Sequence, residues 1–422
     1  MKHFGTDGIR KKSVYFDEEY LKKIACGIYH AGFHRVVIGR DTRESGERIR
    51  TILARSLLSL GVDVIDVGII STPAVAYLVG KIDCDGGIVV SASHNPPDYN
   101  GIKLFDKDGK ISAETEERIE QYMDYPFPFV GKNGAYQSMD CAGSWYAQYI
   151  RSVVHADLKG LKVSLDLSNG AAIIAPDIFR SMGAEVVVNN DETDGKNINI
   201  NCGATHPESI YGYCQKDGVD IGFAYDGDGD RVVCVRNGKV ITGDGIICLI
   251  AKGMKKRGLL TKNRVAGTVM SNMGTEIYLN NMGIHFHRSD VGDRNLAKLM
   301  KDIGACIGGE DSGHIILSDI LPTGDGILTS LVVSALLKEG EEFDDIPVYP
   351  TATAEVFADE AQKDFFTKSV RIAEFLKSFY DCRPVVRPSG TEPKIRILVE
   401  GKDEKYVSST AQEIKKYLEK VL

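Results

Sequence analysis

Several things are missing from this sequence of 422 residues, and each absence narrows what the chain can be. No two of its nine cysteines form a CxxC pair. The odd count and wide spacing read as reduced thiols in a cytoplasmic protein. No Gly-Lys is followed by Ser or Thr, so there is no Walker phosphate loop. The start, MKHFGTDGIRKK, lacks an apolar stretch, and no secretory signal is expected. The most apolar run, ILTSLVVSALL (327–337), is too short for a bilayer and suits a buried helix. Positive charge is not in excess either: the net charge of −8 argues against a dedicated nucleic-acid binder. The expected partner is a small molecule, with no nucleic acid and no membrane, for a monomer or homodimer.

What is present is ordinary globular composition, 43% hydrophobic and 26% charged, on a chain too long for one core. One pattern occurs three times. RVVIGRDTRESGERIRTILARSLLSLGVDVIDVG reads as strand, polar turn, amphipathic helix, Gly61, strand. LKVSLDLSNGAAIIAPDIFRSMGAEVVVNN repeats it with Gly183, and NRVAGTVMSNMGTEIYLNNMGIHFHRSD with Gly283. Glycine supplies the left-handed residue that ends a helix, and the β-branched run after it supplies the next strand. The fold class is therefore α/β: three related domains with mixed, largely parallel sheets. The tail differs, with strand TATAEVFA, a helix around 364–379, strand KIRILVE and a last helix striped by Val407, Ala411, Ile414, Leu418 and Val421. That is a smaller C-terminal α+β domain, reached through the acidic linker EGEEFDDIPVYP. The expected boundaries are 1–145, 146–240, 241–345 and 350–422.

Five short motifs stand out. SASHNPPDYNGIK (91–103) follows the apolar GGIVV, either as a plain turn or as a nucleophile, Ser93, at the carboxyl end of a strand where open α/β sheets bind ligands. DGDGDR places Asp226, Asp228 and Asp230 at alternate positions around glycines, which suits Mg²⁺; the alternative is an acidic surface turn. An EF-hand is excluded because Arg231 stands at its glycine position and Asn237 at its closing glutamate. RPSGTEPKIRI offers Arg387, Ser389 and Thr391 to a phosphate around Gly390, or is merely a turn with a surface arginine. In GGEDSGH an extended backbone would aim Glu310, Ser312 and His314 to one side, towards sugar hydroxyls; a polar turn is the commoner explanation. FGTDGIR puts Arg10 beside a Gly-containing turn. The pair His285 and His287 reads as strand packing.

Taken together, FGTDGIR, SASHNP, DGDGDR, GEDSGH and RPSGTEP resemble, in order and approximate spacing, the α-D-phosphohexomutase family, from Phe4 to Ile397. That family places four domains around one central cleft. The resemblance implies that Ser93 carries a phosphoryl group, with His94 beside it. It implies that Asp226, Asp228 and Asp230 bind one Mg²⁺ together with an oxygen on Ser93, next to Arg231. Lys103 and Arg10 match residues of proton transfer and charge stabilisation. Glu310 and Ser312, with His314, match sugar ligands. Arg387, Ser389, Gly390, Thr391 and Arg396 match the clamp on the phosphate that is not reacting. FGTDGIR, NININ-CGATHPE (197–208) and VGDR (291–294) resemble the branch acting on glucosamine phosphates, whereas SHNPPDYNGIK is closer to the mannose and glucose branch. The implied reaction interconverts glucosamine 6-phosphate and glucosamine 1-phosphate through a phosphoserine and a bound 1,6-bisphosphate, supplying UDP-N-acetylglucosamine synthesis. A hexose 1,6-bisphosphate would be the activator. Alternatives are a phosphomannomutase or phosphoglucomutase, a non-catalytic sugar-phosphate binder, and a metal phosphatase on which a second phosphate clamp would be wasted.

Overall fold

The computed structural model describes residues 3–5, 7–128, 131, 133–389 and 392–422. The three repeats fold alike. Strand Arg35–Arg40, helix Glu44–Ser59 and strand Asp63–Ile69 form the first; Lys162–Asp166, Ala175–Ser181 and Glu185–Asn189 the second; Arg264–Thr268, Met273–Asn281 and His285–Ser289 the third. Each helix ends on the same device. Gly61, at φ 81°, donates to Leu58 O while Val62 donates to Leu57 O, both at 3.0 Å. Gly183 and Ala184 repeat this against Arg180 and Phe179, and Gly283 and Ile284 against Asn280 and Leu279. The positive φ selects glycine, and the apolar residue after it folds back on the last turn.

The chain divides into two compact units, one formed by residues 1–268 and 287–344, the other by 269–286 and 345–422. The first unit contains mixed sheets. In the first sheet, parallel strands Gly86–Val90, Arg35–Arg40, Asp63–Ile69 and Tyr136–Ser138 lie side by side, and Gly86–Val90 is flanked on its other edge by antiparallel Tyr99–Asp106 and then Ile9–Lys12. In the second, Glu185–Asn189, Lys162–Asp166 and Ile221–Tyr225 are parallel, followed by antiparallel Val232–Arg236 and Lys239–Ile241. In the third, Arg264–Thr268 pairs in parallel with Ile307–Gly309, which turns back antiparallel onto Ile315–Leu317. Three of the motifs therefore occupy one equivalent place. SASHNP, DGDGDR and GEDSGH each leave the carboxyl end of a parallel strand and lead into its antiparallel neighbour.

The apolar run 327–337 is the buried helix Gly326–Lys338, and among the described residues no helix is long and apolar enough to cross a membrane. The acidic stretch after it is irregular and pinned: Glu341, Glu342 and Asp344 pair with Lys256, Arg236 and Lys252 at 2.5–2.7 Å, and Glu339 pairs with Arg257. All nine cysteines are free thiols; Cys141 is exposed, Cys84 and Cys214 are half-buried and the others are buried.

In the second unit, strand Lys394–Gly401 lies between antiparallel Thr351–Phe357 and Cys382–Pro388. Helix Glu404–Val421 covers this sheet through Val407, Ala411, Ile414 and Leu418. The single helix expected around 364–379 is two, Glu360–Lys368 and Val370–Lys377, because Ser369 turns extended and its Oγ caps Ile372 N. Segment 269–286 joins this unit through Arg383, which donates to Val269 O (2.8 Å) and Ser271 O (3.0 Å). Its partner Glu400 accepts from Met273 N.

The helix stops yield a stability prediction. A Cβ on Gly183 would sit 3.1 Å from Lys159 N at φ 97°, so Gly183→Ala should cost about 1–2 kcal/mol. Gly143, in a helix with open space around it, should tolerate alanine or gain slightly. Thermal midpoints of the two variants check this; equal midpoints would contradict it.

Candidate active site

Ser93 is fully buried at φ 52°, a left-handed conformation that a non-glycine residue adopts only when its surroundings impose it. Those surroundings are specific. The Arg43 guanidinium, also fully buried, donates to the carbonyls of Ser93 (2.8 Å), Asn95 (2.7 Å) and Tyr99 (3.1 Å), and to Pro96 O. Asp41 balances its charge at 2.9 Å and accepts Ser91 Oγ at 2.6 Å; Ser91 Oγ in turn receives Ser93 N. From the second sheet's loops, Asn199 Nδ2 donates to Ser93 O (2.8 Å) and Asn95 O (3.1 Å). The hydroxyl itself points at the aspartates, with Ser93 Oγ donating to Asp226 Oδ2 at 2.6 Å and His94 Nδ1 3.3 Å away.

Asp226, Asp228 and Asp230 are all buried, with ligand-competent oxygens within 4.8 Å of one another; among the described residues this is the one cluster of three or more such groups with metal-site spacing. Glycines make the loop possible. Gly229 has φ 72°, and a Cβ on Gly227 would lie 2.7 Å from Ser93 O. Lys103 Nζ reaches Asp228 (2.7 Å), Asp230 (2.8 Å) and Asp7 (3.1 Å). Thr72 Oγ1 donates to Asp228 Oδ2 at 2.6 Å and Arg231 N to Asp226 Oδ1 at 3.1 Å. Asp228 Oδ1 and Asp230 Oδ1 have no hydrogen-bond partner although buried. Two such orphaned carboxylate oxygens, beside a third carboxylate and a serine hydroxyl, form a hard all-oxygen donor set that fits Mg²⁺.

The charges are strongly coupled. Burial disfavours the Lys103 ammonium, but Asp228, Asp230 and Asp7 outweigh it and hold its pKa well above the usual lysine value. Burial and the charges of Asp230 and Asp228 push Asp226 well up, whereas Asp230 is lowered against burial by Lys103, His314 and Arg231. Asp226 is the carboxylate of the three that Lys103 does not pair with. Burial, with Arg231 and Arg10 adding to it, pushes His94 down to about 3, leaving it neutral. His314 is opposed by burial yet raised to about 9 by Asp293 and Asp230.

Arg10 donates to Asn95 Oδ1 at 3.1 Å and pairs with Asp7, which also pairs with Lys110. The sugar-loop candidates are not on an extended stretch. Gly313 N donates to Glu310 O at 2.9 Å with φ 91° at Gly313, so residues 310–313 form a tight turn. Glu310 is nearly buried and accepts Gly292 N (3.2 Å), Ser312 is exposed at the tip, and His314 forms an antiparallel bridge with Arg231. In the second unit Arg387 and Arg396 are directly opposed across antiparallel strands, and Arg396 pairs with Glu392. Ser389 Oγ accepts Glu392 N at 3.2 Å; Gly390 and Thr391 lie outside the described residues. His285 and His287 lie on strand His285–Ser289, as expected.

Comparison with known proteins agrees with this geometry. Models of phosphoglucomutase/phosphomannomutase α/β/α domains I, II and III match residues 1–126, 145–239 and 242–347, and that of the C-terminal domain matches 336–416. The chain belongs to the phosphoglucomutase/phosphomannomutase family. It is 39% identical over 445 aligned residues to a phosphoglucosamine mutase of Thermoanaerobacter sp. (strain X514), covering 99% of each chain. It is 40% identical to a phosphoglucosamine mutase of Clostridioides difficile (strain 630), covering 100% of this chain and 99% of that one. A phosphoglucomutase/phosphomannomutase family protein from Burkholderia thailandensis has the same fold, with TM-score 0.79 and 23% identity over 98% of this chain and 96% of that one. An Aspergillus fumigatus N-acetylphosphoglucosamine mutase, solved with GlcNAc-6P and magnesium, gives 0.66 at 15% identity over 99% and 95%.

Sequence reasoning passed over Asp41 and Arg43 in GRDTRESGE, Asp7 within FGTDGIR, Thr72, and the work of Asn199 in the NININ segment. A usable signal existed for the last: Ser168, Asn169, Asn190, Asn199 and Asn201 all have positive φ, and asparagine tolerates it best. Arg43 carried none, since a buried arginine in a polar turn looks like a solvated one. Its importance is testable. Arg43→Met removes the counter-charge of buried Asp41 and four hydrogen bonds donated to the loop carbonyls, which should cost about 3–5 kcal/mol. Arg43→Lys keeps the charge but loses the planar fork and should fall between. An unchanged thermal midpoint in Arg43→Met would show that the serine loop stands without it.

Proposed function

We propose that the chain interconverts glucosamine 6-phosphate and glucosamine 1-phosphate through a phosphoryl group carried on Ser93. The observation that carries the mutase reading is the Ser93 hydroxyl, 2.6 Å from a buried aspartate triad at the carboxyl end of a strand. The relatives named phosphoglucosamine mutase, at 39–40% identity along almost the whole chain, support the sugar.

In the first half-reaction a sugar hydroxyl attacks the phosphorus on Ser93. The bond from phosphorus to Ser93 Oγ breaks, the serine oxygen keeps the electron pair, and the hydroxyl proton ends on it. The product is a bound 1,6-bisphosphate; reversal from its other phosphate restores the phosphoserine and releases the isomer. A hexose 1,6-bisphosphate loads the serine in the first place. Asp226, Asp228 and Asp230 would hold Mg²⁺, which when bound neutralises charge on the transferring group. We assign proton transfer to Lys103 and charge stabilisation to Arg10, with His94 and Arg231 alongside. Glu310, Ser312 and His314 are assigned to the sugar. Arg387 and Arg396, with Ser389, Gly390 and Thr391, are assigned to the phosphate that is not reacting. The direct opposition of the two arginines supports that assignment, because two planar donor forks on one face of the ladder can grip a single phosphate.

Two experiments test the reading. Intact-protein mass should show a phosphorylated fraction that Ser93→Ala abolishes along with turnover. On the phosphorylated enzyme, glucosamine phosphate should exceed glucose and mannose phosphates in kcat/KM by about tenfold, equivalent to 1.4 kcal/mol. Full turnover by Ser93→Ala removes the phosphoserine, while a win for mannose or glucose phosphate leaves the mutase and moves the sugar. Separately, Arg387→Ala should raise KM in both directions, by a factor equivalent to about 2–5 kcal/mol for a desolvated clamp. A one-directional effect would mean that the clamp does not serve both phosphates.

A further inference from the structure

Beneath the aspartate loop lies a second acidic residue to which the mechanism gives no work. Asp325, only 1% exposed, caps helix Gly326–Lys338, its Oδ1 accepting Leu328 N at 2.9 Å. Asparagine or serine would cap as well without burying a charge, and burial raises the Asp325 carboxyl to about 6. The residue after it touches the site. Gly326 N donates to Gly229 O at 3.0 Å, in the middle of DGDGDR, and a Cβ on Gly326 would lie 2.4 Å from Arg231 O. On the other side of the same turn, a Cβ on Gly324 would fall 2.5 Å from the His314 ring. The cap is held from behind by Tyr146, wholly buried on helix Ala142–Val153, whose hydroxyl donates to Asp325 Oδ2 at 2.6 Å. One turn on, Tyr149 donates to Ile320 O at 2.6 Å.

We propose that the Tyr146–Asp325 pair is a positioning device for the aspartate loop, fixing the helix start against Gly229 and so spacing the three carboxylates for a divalent cation. This rests on the cation reading given above. The loop's hydrogen bond to the turn joins backbone atoms, and the close approach of Arg231 O to Gly326 leaves no room for a side chain, so the loop's height follows the position of the helix terminus. Aspartate at 325 holds that terminus at both ends, by the cap on one oxygen and by Tyr146 on the other. Its negative charge also lies behind the site that attracts the cation.

The probe is Mn²⁺, a hard cation suited to the same oxygen donors, with binding to the full chain followed by electron paramagnetic resonance. Asp325→Asn keeps a capping oxygen, and Tyr146→Phe is nearly isosteric, so both should fold. Expected is a dissociation constant raised about tenfold by Asp325→Asn, the scale seen when a group supporting metal ligands is lost. A smaller rise is expected for Tyr146→Phe, with the double variant no worse than Asp325→Asn. Tyr149→Phe, which loses a half-buried, hydrogen-bonded hydroxyl on the same helix without touching the cap, should bind as wild type. Unchanged Mn²⁺ affinity in Asp325→Asn, or equal weakening by Tyr149→Phe, would overturn the positioning role while leaving the cation site. Absence of binding to the wild-type chain would remove the cation reading and the inference with it.

Discussion

The site depends on one buried cation, the Arg43 guanidinium. A serine loop that leaves a fully buried strand and curls through left-handed φ exposes carbonyls that no ladder can satisfy. A neutral donor serves one or two of them, as Asn199 does. A planar five-donor fork serves the carbonyls of 93, 95, 96 and 99 together, with Asp41 absorbing its charge. The position of the Ser93 hydroxyl follows from that. So does its neighbour across the sheets, because Asn199 binds two of the same carbonyls from the other side. The domains that carry serine and aspartates are thus registered through the loop's backbone as well as through the contacts of Ser93 and Lys103 with the aspartates.

A second constraint is charge. Three carboxylates within 4.8 Å cannot all stay ionised in a buried space without positive company. Lys103, Arg231 and His314 provide it, and Asp7 and Asp293 in turn balance Lys103, Lys110 and His314. The outcome is a nearly neutral cluster with single oxygens left over on Asp228 and Asp230.

The sequence made the architecture legible because its signals were local. Helix stops at Gly61, Gly183 and Gly283, alternation in KIRILVE, and the Asp-Gly-Asp spacing all act through near neighbours, and each survives in the folded chain. What escaped was non-local. Arg43 and Ser93 are separated by 50 residues, and Tyr146 and Asp325 by 179, with no periodicity to join them. GEDSGH left two readings open, an extended stretch or a polar turn, and Gly313 at φ 91° makes it the turn. The single helix around 364–379 broke at Ser369 for a similar reason, since a serine inside a helical pattern is also a cap.

The distribution of thiols has a practical side. Burial raises Cys84 and Cys214 to about 11, and the remaining cysteines apart from Cys141 are buried, so thiolate chemistry is suppressed almost everywhere. Cys141 alone is exposed, and it immediately precedes the helix that carries Tyr146 and Tyr149. A maleimide dye or nitroxide offered to the native molecule is therefore directed first to one address, the exposed Cys141. That address lies at the foot of the helix that carries Tyr146, so the unaltered chain comes with its own attachment point for a spectroscopic reporter.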